Sequence, residues 1–357
     1  MAHRQVSPMK IAGAGSAFPQ HVYSQQEISG ALKDLWREEL ENPALLDRLH
    51  ARCGVERRPM VLPLAAYPQV DTFGKANNLW IENAQQLGKD AICRAITPAG
   101  IRPADINALY VMSVTGVASP SLDARLVNRM GLSPQLKRNP IFGLGCVGGA
   151  AGIARAADYV RAYPDQVAVV LAVELCSLTW QRRDLSMANL ISSGLFADGA
   201  AAVVISGADT DCEGPEIVAT RSTFYPNTED VMGWDISQDG FRIVLSPDVP
   251  RVIEENLRRD ADSFLAEHGL DRSRIASWIV HTGGPKVLEA VEHALQLPDK
   301  ALEASWECLR RVGNMSSVSV LLVLQEYLAR RRGEPGSYSV LAAMGPGFCS
   351  ELVLLRW

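Results

Sequence analysis

Residues 145–164 read GCVGGAAGIARAADYVRAYP, between an apolar stretch at Pro140–Leu144 and the continuous apolar run Val167–Leu175 (VAVVLAVEL). Strand, glycine turn, helix and strand follow one another, which is the order of an α/β protein with helices packed on buried sheets. The run at Val167–Leu175 does not alternate apolar with polar residues, as expected of a strand covered on both faces. Cys146 stands in the turn itself, at the mouth of the predicted helix Gly148–Arg161.

Working outward, the same punctuation recurs. Met9–Ala14, Ala108–Val114 and Ala200–Ile205 read as further strands, Asn78–Ala95 and Leu122–Met130 as helices. Ser24 followed by Glu27 has the spacing of a capping box. Composition changes at Thr210–Pro215, which divides the chain into halves at 1–212 and 213–357. In the second half Glu216–Thr223, Phe241–Leu245 and Ser277–His281 read as strands, and Pro250–His268 as a helix. Val287, Leu288, Val291, Ala294 and Leu295 recur at helical spacing, with Pro285 in the first turn. Ser316–Ala329 is apolar almost all round and reads as a buried helix. Ser339–Met344 and Glu351–Leu355 close the chain as a strand pair. Each half thus sets a tight turn before a buried helix, at Gly145–Gly149 and at Gly313–Ser317, a layout that suggests internal duplication.

The chain has 357 residues, 47% hydrophobic and 21% charged, with a formal net charge of −5. That balance excludes a disordered chain, a collagen and a basic nucleic-acid-binding protein. No apolar run approaches the ~18 residues a membrane span needs, and Met1–Lys10 lacks the apolar core of a signal peptide. Seven scattered cysteines form no CxxC pair and no disulfide framework. The expectation is a cytoplasmic enzyme with no metal site. The run Arg330–Arg332 reads as the cationic end of a helix.

Three residues carry the chemistry. A cysteine at a helix N-terminus feels the partial positive charge of unpaired N–H groups, so Cys146 is expected to be part thiolate at neutral pH, with glycines leaving room beside the sulfur. His281 leaves a buried strand into Thr282-Gly283-Gly284-Pro285, where an imidazole can face a cavity as base, acid or donor. Asn314, in Gly313-Asn314-Met315-Ser316-Ser317, places an amide at the entrance of the second buried helix, with Ser316 or Ser317 capping free N–H groups. Together a thiolate, a neutral imidazole and an amide bind a thioester and stabilise an enolate at its carbonyl. Cys53, Cys93, Cys212, Cys308 and Cys349 read as packing residues. His268 and His293 read as surface residues, and His3, His21 and His50 lie in no motif.

The segments GCVGGAAGIARAADYVRAYP, ELCSLTW, LFADGAAAVVI, WIVHTGGPKVL, GNMSS and MGPGF, in this order and spacing, resemble the type III polyketide synthases, the chalcone and stilbene synthase family. The resemblance implies a thiolase-like α/β fold, duplicated and five-layered (αβαβα). It implies that Cys146 accepts the starter acyl group, with His281 keeping it as a thiolate. His281 and Asn314 would bind the extender carbonyl during decarboxylation of malonyl-CoA. Phe196 matches a gatekeeper phenylalanine, and Ile243 stands where the family has a second. Cys176, Thr179, Val114, Thr115 and Ser316 match cavity-lining positions. Ser119 stands where plant enzymes carry a methionine that reaches into the partner's cavity. Arg48, Arg52, Arg57 and Arg58 cluster where the family binds CoA.

These departures from the plant pattern point to a bacterial-type enzyme that loads a fatty acyl-CoA, extends it with malonyl-CoA and closes an alkylpyrone or alkylresorcinol. A tetrahydroxynaphthalene-type synthase using malonyl-CoA alone, a single-round ketoacyl synthase III and an inactive acyl-CoA-binding relative are the competing readings. The family implies a homodimer acting on malonyl-CoA and acyl-CoA, without cofactor, nucleic acid or membrane span.

Overall fold

The computed structural model describes residues 8–330 and 333–357. His3, Arg331 and Arg332 lie outside them. In chain order the strands are β1 (Met9–Ala17), β2 (His21–Ser24), β3 (Arg57–Met60), β4 (Ala108–Ser113), β5 (Lys137–Phe142), β6 (Val167–Leu175), β7 (Asp198–Ser206), β8 (Glu216–Phe224), β9 (Met232–Ser237), β10 (Gly240–Leu245), β11 (Ile275–Val280), β12 (Tyr338–Gly345) and β13 (Cys349–Arg356). The α-helices are α1 (Gln25–Leu35), α2 (Pro43–Ala51), α3 (Phe73–Ile96), α4 (Leu122–Met130), α5 (Gly148–Ala162), α6 (Met187–Leu195), α7 (Val249–Ala266), α8 (Pro285–Leu295), α9 (Glu303–Val312) and α10 (Ser319–Arg330).

Nine strands form one mixed sheet in the order β11-β12-β13-β8-β1-β7-β6-β4-β5, while β2 pairs with β3 and β9 with β10 as separate ribbons. Among the described residues the large sheet is joined at its middle by two residue pairs, Met9 opposite Ile217 and Lys10 opposite Glu216. From this junction the two halves run in the same pattern. One goes β1, antiparallel β7, antiparallel β6, parallel β4; the other goes β8, antiparallel β13, antiparallel β12, parallel β11.

Helices α5 and α10 form the middle layer between the two half-sheets, and their apolar faces merge into one core with residues of β4, β6, β7, β12 and β13. α3 and α4 cover the outer face of the first half-sheet. α7 and α8 cover the outer face of the second. The layers are therefore αβαβα, the duplicated thiolase-like arrangement. Strands β6 and β7 are buried along their whole length, which accounts for their lack of alternation.

The two central helices meet closely at their N-terminal ends. A side-chain carbon on Gly149 would lie 2.3 Å from the Ser317 carbonyl oxygen and 2.8 Å from Val320 Cγ1, so only glycine lets α5 approach the turn before α10. Of the glycines expected to leave room for a ligand, Gly149 instead makes room for the neighbouring helix. Gly145 does serve the turn, with φ +52°.

Most elements lie where the sequence puts them, including the Ser24–Glu27 capping box. The helix expected from Asn78 begins at Phe73, because the Thr72 hydroxyl accepts from the Lys75 N–H and caps the chain there. The strand expected at Pro140–Leu144 is displaced to Lys137–Phe142 by its parallel register with β4, Ala108 opposite Lys137. Ser316–Val318 forms a 3₁₀ turn rather than the first turn of α10, with Ser316 at φ +49°. Among the described residues no helix is long and apolar enough to cross a membrane.

Candidate active site

Cys146 sits in the turn Gly145–Val147 that opens α5, 6% exposed. A cavity of about 40 Å³ lies against it, walled by Val114, Thr115, Cys176, Phe196, Ile243 and Ser316 from the residues expected to line it, and by Gly145, Met232, Gly233, Trp234 and Pro346 besides. Trp234 of β9 stands opposite Ile243 of β10. This hairpin is held by an aromatic cluster in which Phe241 meets Phe73, Trp234 and Phe142 with ring centroids 5.3, 5.8 and 5.9 Å apart.

Asn314 faces Cys146 from the mouth of α10. Its Oδ1 accepts from the Ser316 N–H at 2.7 Å and the Ser319 hydroxyl at 3.4 Å, and its Nδ2 makes a long bond to the Gly283 carbonyl, 3.4 Å away. The amide is thus oriented through its oxygen and keeps donor capacity on its nitrogen. Gly283 belongs to the turn that follows His281, so this contact links the two residues' loops. His281 is buried, and neither ring nitrogen has a hydrogen-bond partner among the described residues. A buried imidazole with both nitrogens unpaired is costly unless a substrate completes it.

Burial controls the titration of this site. It pushes the Cys146 thiol up to about 12, a rise that hydrogen bonding from Ser316 and Asn314 opposes and the charge of Glu174 reinforces. Burial also holds the His281 imidazole down to about 3. Burial thus favours the neutral thiol and the neutral imidazole, and works against the thiolate expected from the helix terminus.

Glu174, at the end of β6, escaped the sequence reading. Its carboxylate is fully buried and accepts from the hydroxyls of Ser317 (2.5 Å), Thr115 (2.8 Å) and Ser113 (3.2 Å) and from the Val114 N–H (3.0 Å). Burial raises it to about 7. It bolts β4, β6 and the turn before α10 together beneath Cys146. The available signal was a single acidic residue in an otherwise apolar strand.

Other expected residues are placed differently. Thr179 does not wall the Cys146 cavity; it lines a neighbouring cavity of about 400 Å³ with Asp71, Asn77, Gln181 and Arg182, and Thr115 borders both. The reason is local: the turn Cys176–Thr179 carries Cys176 toward Cys146 and Thr179 away from it. Ser119 is exposed on the loop after β4 and does not touch its own chain's cavity. Arg48, Arg52 and Arg57 are exposed, but Arg58 is completely buried and cannot stand at a tunnel mouth. His50 is a satisfied core histidine joining Ser29, Leu190 and Ser193. All seven cysteines are free. Among the described residues no cluster of three or more metal-ligating side chains is present.

The chain matches the family models "Chalcone and stilbene synthases, N-terminal domain" over residues 1–210 and "Chalcone and stilbene synthases, C-terminal domain" over 216–357. It is 50% identical over 350 residues to the 1,3,6,8-tetrahydroxynaphthalene synthase of Streptomyces peucetius subsp. caesius, covering 97% of this chain and 93% of that one. The 3,5-dihydroxyphenylacetyl-CoA synthase of Amycolatopsis balhimycina is 30% identical, over 98% of this chain and 93% of the relative. The crystal structure of 1,3,6,8-tetrahydroxynaphthalene synthase from Streptomyces coelicolor A3(2), a bacterial type III polyketide synthase, superposes with a TM-score of 0.92 at 32% identity, covering 98% of this chain and 99% of that chain.

Proposed function

This chain belongs to the chalcone and stilbene synthase family of type III polyketide synthases, acyltransferases that condense CoA thioesters by decarboxylation, and we propose that within it the protein uses malonyl-CoA as both starter and extender to make a tetrahydroxynaphthalene-type product. The observation that carries this reading is the space at Cys146. About 40 Å³ is an order of magnitude below the ~300 Å³ at which ligand pockets begin, and Trp234 and Ile243 close it. A two-carbon acyl unit suits such a space far better than an alkyl chain. The adjoining cavity beyond Thr115 sets Asp71, Thr72, Asn77, Thr179, Gln181 and Arg182 among apolar residues such as Phe73, Leu178 and Trp180, and these polar groups offer a poly-β-ketone hydrogen bonds that a hydrocarbon tail cannot use. Sequence similarity to a tetrahydroxynaphthalene synthase at 50% identity supports the same choice. The alkylpyrone and alkylresorcinol reading has neither support.

Cys146 is the nucleophile. As its sulfur attacks the thioester carbonyl, the neutral His281 imidazole takes the thiol proton and gives it to the CoA sulfur as the C–S bond breaks, so that CoA leaves as the thiol. The next malonyl thioester binds with its carbonyl oxygen facing His281 and the Asn314 Nδ2. Loss of carbon dioxide leaves an electron pair in the enolate, whose oxygen those two donors stabilise. An imidazole held neutral by burial can donate a hydrogen bond there without protonating the enolate. The enolate carbon attacks the acyl-Cys146 carbonyl, and the thiolate released is ready for the next transfer. A naphthalene skeleton has ten carbons, so five two-carbon units suffice. Arg48, Arg52 and Arg57 are the exposed cations available for the CoA phosphates.

The working form is a homodimer of chains each folded as duplicated halves, 1–212 and 213–357. Strand β5 ends the sheet with Phe142 exposed on it and Val117 exposed nearby, and an uncovered edge of this kind invites pairing with a second copy.

Incubation of the purified protein with malonyl-CoA alone, followed by mass spectrometry, tests the reading. The expected result is a tetrahydroxynaphthalene-mass product that is absent with Cys146→Ala. A requirement for a second acyl-CoA, or alkylpyrones made in preference when fatty acyl-CoA is present, would overturn it.

A further inference from the structure

Building on the reading of Asn314 as a donor to the malonyl thioester, we propose that Arg58 is a positioning residue for that amide, acting through the backbone of Leu195–Ala197. Arg58 lies in the short strand β3, where successive side chains point to opposite sides; Arg57 faces solvent and Arg58 is wholly enclosed. Its guanidinium makes one hydrogen bond, Nη1 to the Phe196 carbonyl at 2.6 Å. Its Nε and Nη2 have no partner among the described residues.

Asp198 is the nearest carboxylate whose charge it feels, but the Asp198 oxygens are occupied by Ser177 N–H (2.8 Å), the Ser177 hydroxyl (2.5 Å) and Val61 N–H (2.7 Å). A buried cation with one bond is an expensive arrangement. Stability alone gives no reason for it.

The place of that one bond gives the reason. Between the end of α6 and the start of β7 the chain makes a two-sided bridge with the catalytic loop: Asn314 N–H donates to the Leu195 carbonyl (3.0 Å), and Ala197 N–H donates to the Asn314 carbonyl (2.8 Å). The Phe196 carbonyl lies between these two bonds and belongs to neither. Arg58 takes it.

The stem of Arg58 also packs under the preceding residue of the loop, its Cδ 3.2 Å from where a Cβ on Gly313 would lie. Arg58 therefore touches both strands of the bridge that sets the Asn314 backbone and the Phe196 side chain. Without it, a buried carbonyl is left unpaired, and the bridge is free to rotate toward another donor.

The test separates malonyl-CoA decarboxylation, read as carbon dioxide release, from acylation of Cys146, read by mass spectrometry of the intact protein. Arg58→Met is expected to lower kcat for decarboxylation about 10- to 100-fold, the scale of a misplaced catalytic group. The KM for malonyl-CoA and the acylation rate should stay within about two-fold of wild type, and Arg58→Lys, which keeps one donor, should recover much of the loss. In an Asn314→Ala background Arg58→Met should have no further effect, because the group it positions is gone.

Wild-type decarboxylation in a folded Arg58→Met, an equal loss in both backgrounds, or a rise in KM matching the fall in kcat/KM would each overturn the proposal. Should Arg58→Met not fold, Arg58→Lys carries the same double-mutant comparison. Asn314→Ala decarboxylating at the wild-type rate would strike the underlying reading of Asn314 instead, an outcome distinct from the others.

Discussion

Gly149→Ala is the smallest change that should disable this site from a distance. The added carbon would lie 2.3 Å from the Ser317 carbonyl oxygen, where ordinary contact begins at 3.4 Å, so α5 and the turn before α10 must part by about 1 Å. Cys146 rides on one of these elements; Asn314 and Ser316 ride on the other. Overpacking of a tight core costs about 1–3 kcal/mol. With an unfolding entropy of about 2.1 cal/mol/K per residue over 357 residues, that cost lowers Tm by only about 1–4 °C. The catalytic effect should be much larger, since a 1 Å misplacement can cost about 100-fold. Turnover of malonyl-CoA and thermal unfolding, measured side by side, check the two numbers. Gly74→Ala serves as the control: Gly74 is in the first turn of α3 with nothing within 4 Å of its would-be side chain, so the change should stabilise by less than the ~0.5–1 kcal/mol of a mid-helix position and leave turnover alone. A Gly149→Ala protein with wild-type turnover and wild-type Tm would refute the claim that the two helix mouths are set by this contact.

Other outcomes follow from the same geometry. Trp234→Ala should open the wall beside Cys146 and let short alkyl starters load; an unchanged starter panel, measured by mass spectrometry, would remove Trp234 from specificity. Glu174 binds its proton more tightly folded than unfolded, about 7 against an ordinary 4.5, so its contribution to stability falls as pH rises through that window. Plotted against pH from about 5 to 8, the Tm of Glu174→Gln should therefore gain on wild type, and parallel curves would show that the carboxyl is not raised. Phe142→Asp, on the exposed edge strand, should shift the protein from dimer to monomer by light scattering; an unaltered mass would place the interface elsewhere.

The turns that carry Cys146, His281 and Asn314 were legible because each bears glycine, and its backbone conformation is written in the residues themselves. Gly145 has the positive φ that the cysteine turn requires, and the strand before His281 ends where the pattern ends. What could not be read depended on long-range packing. Nothing near Glu174 in the sequence announces that Ser113, Thr115 and Ser317 converge on it from 61, 59 and 143 residues away. The hairpin residue Trp234 enters the site only because β9–β10 folds back over Cys146. Arg58 was misassigned by treating a cluster of arginines as one surface, although strand alternation forbids neighbours such as Arg57 and Arg58 from sharing a side. The helix terminus at Cys146 is visible in sequence, and the depth of burial that works against a thiolate there is not.

The hairpin β9–β10 supplies Met232, Gly233, Trp234 and Ile243 to the wall of the cavity, yet none of its hydrogen-bonded pairing is with the nine-stranded sheet. Cys146, His281 and Asn314 hang from that sheet and the two central helices; the hairpin is moored by Phe241 and by Gln181, whose amide donates to the Phe241 and Asp239 carbonyls. The wall of the cavity and the placement of Cys146, His281 and Asn314 thus rest on separate supports. A change confined to the ribbon reshapes the space beside Cys146 and leaves those three residues where they stand.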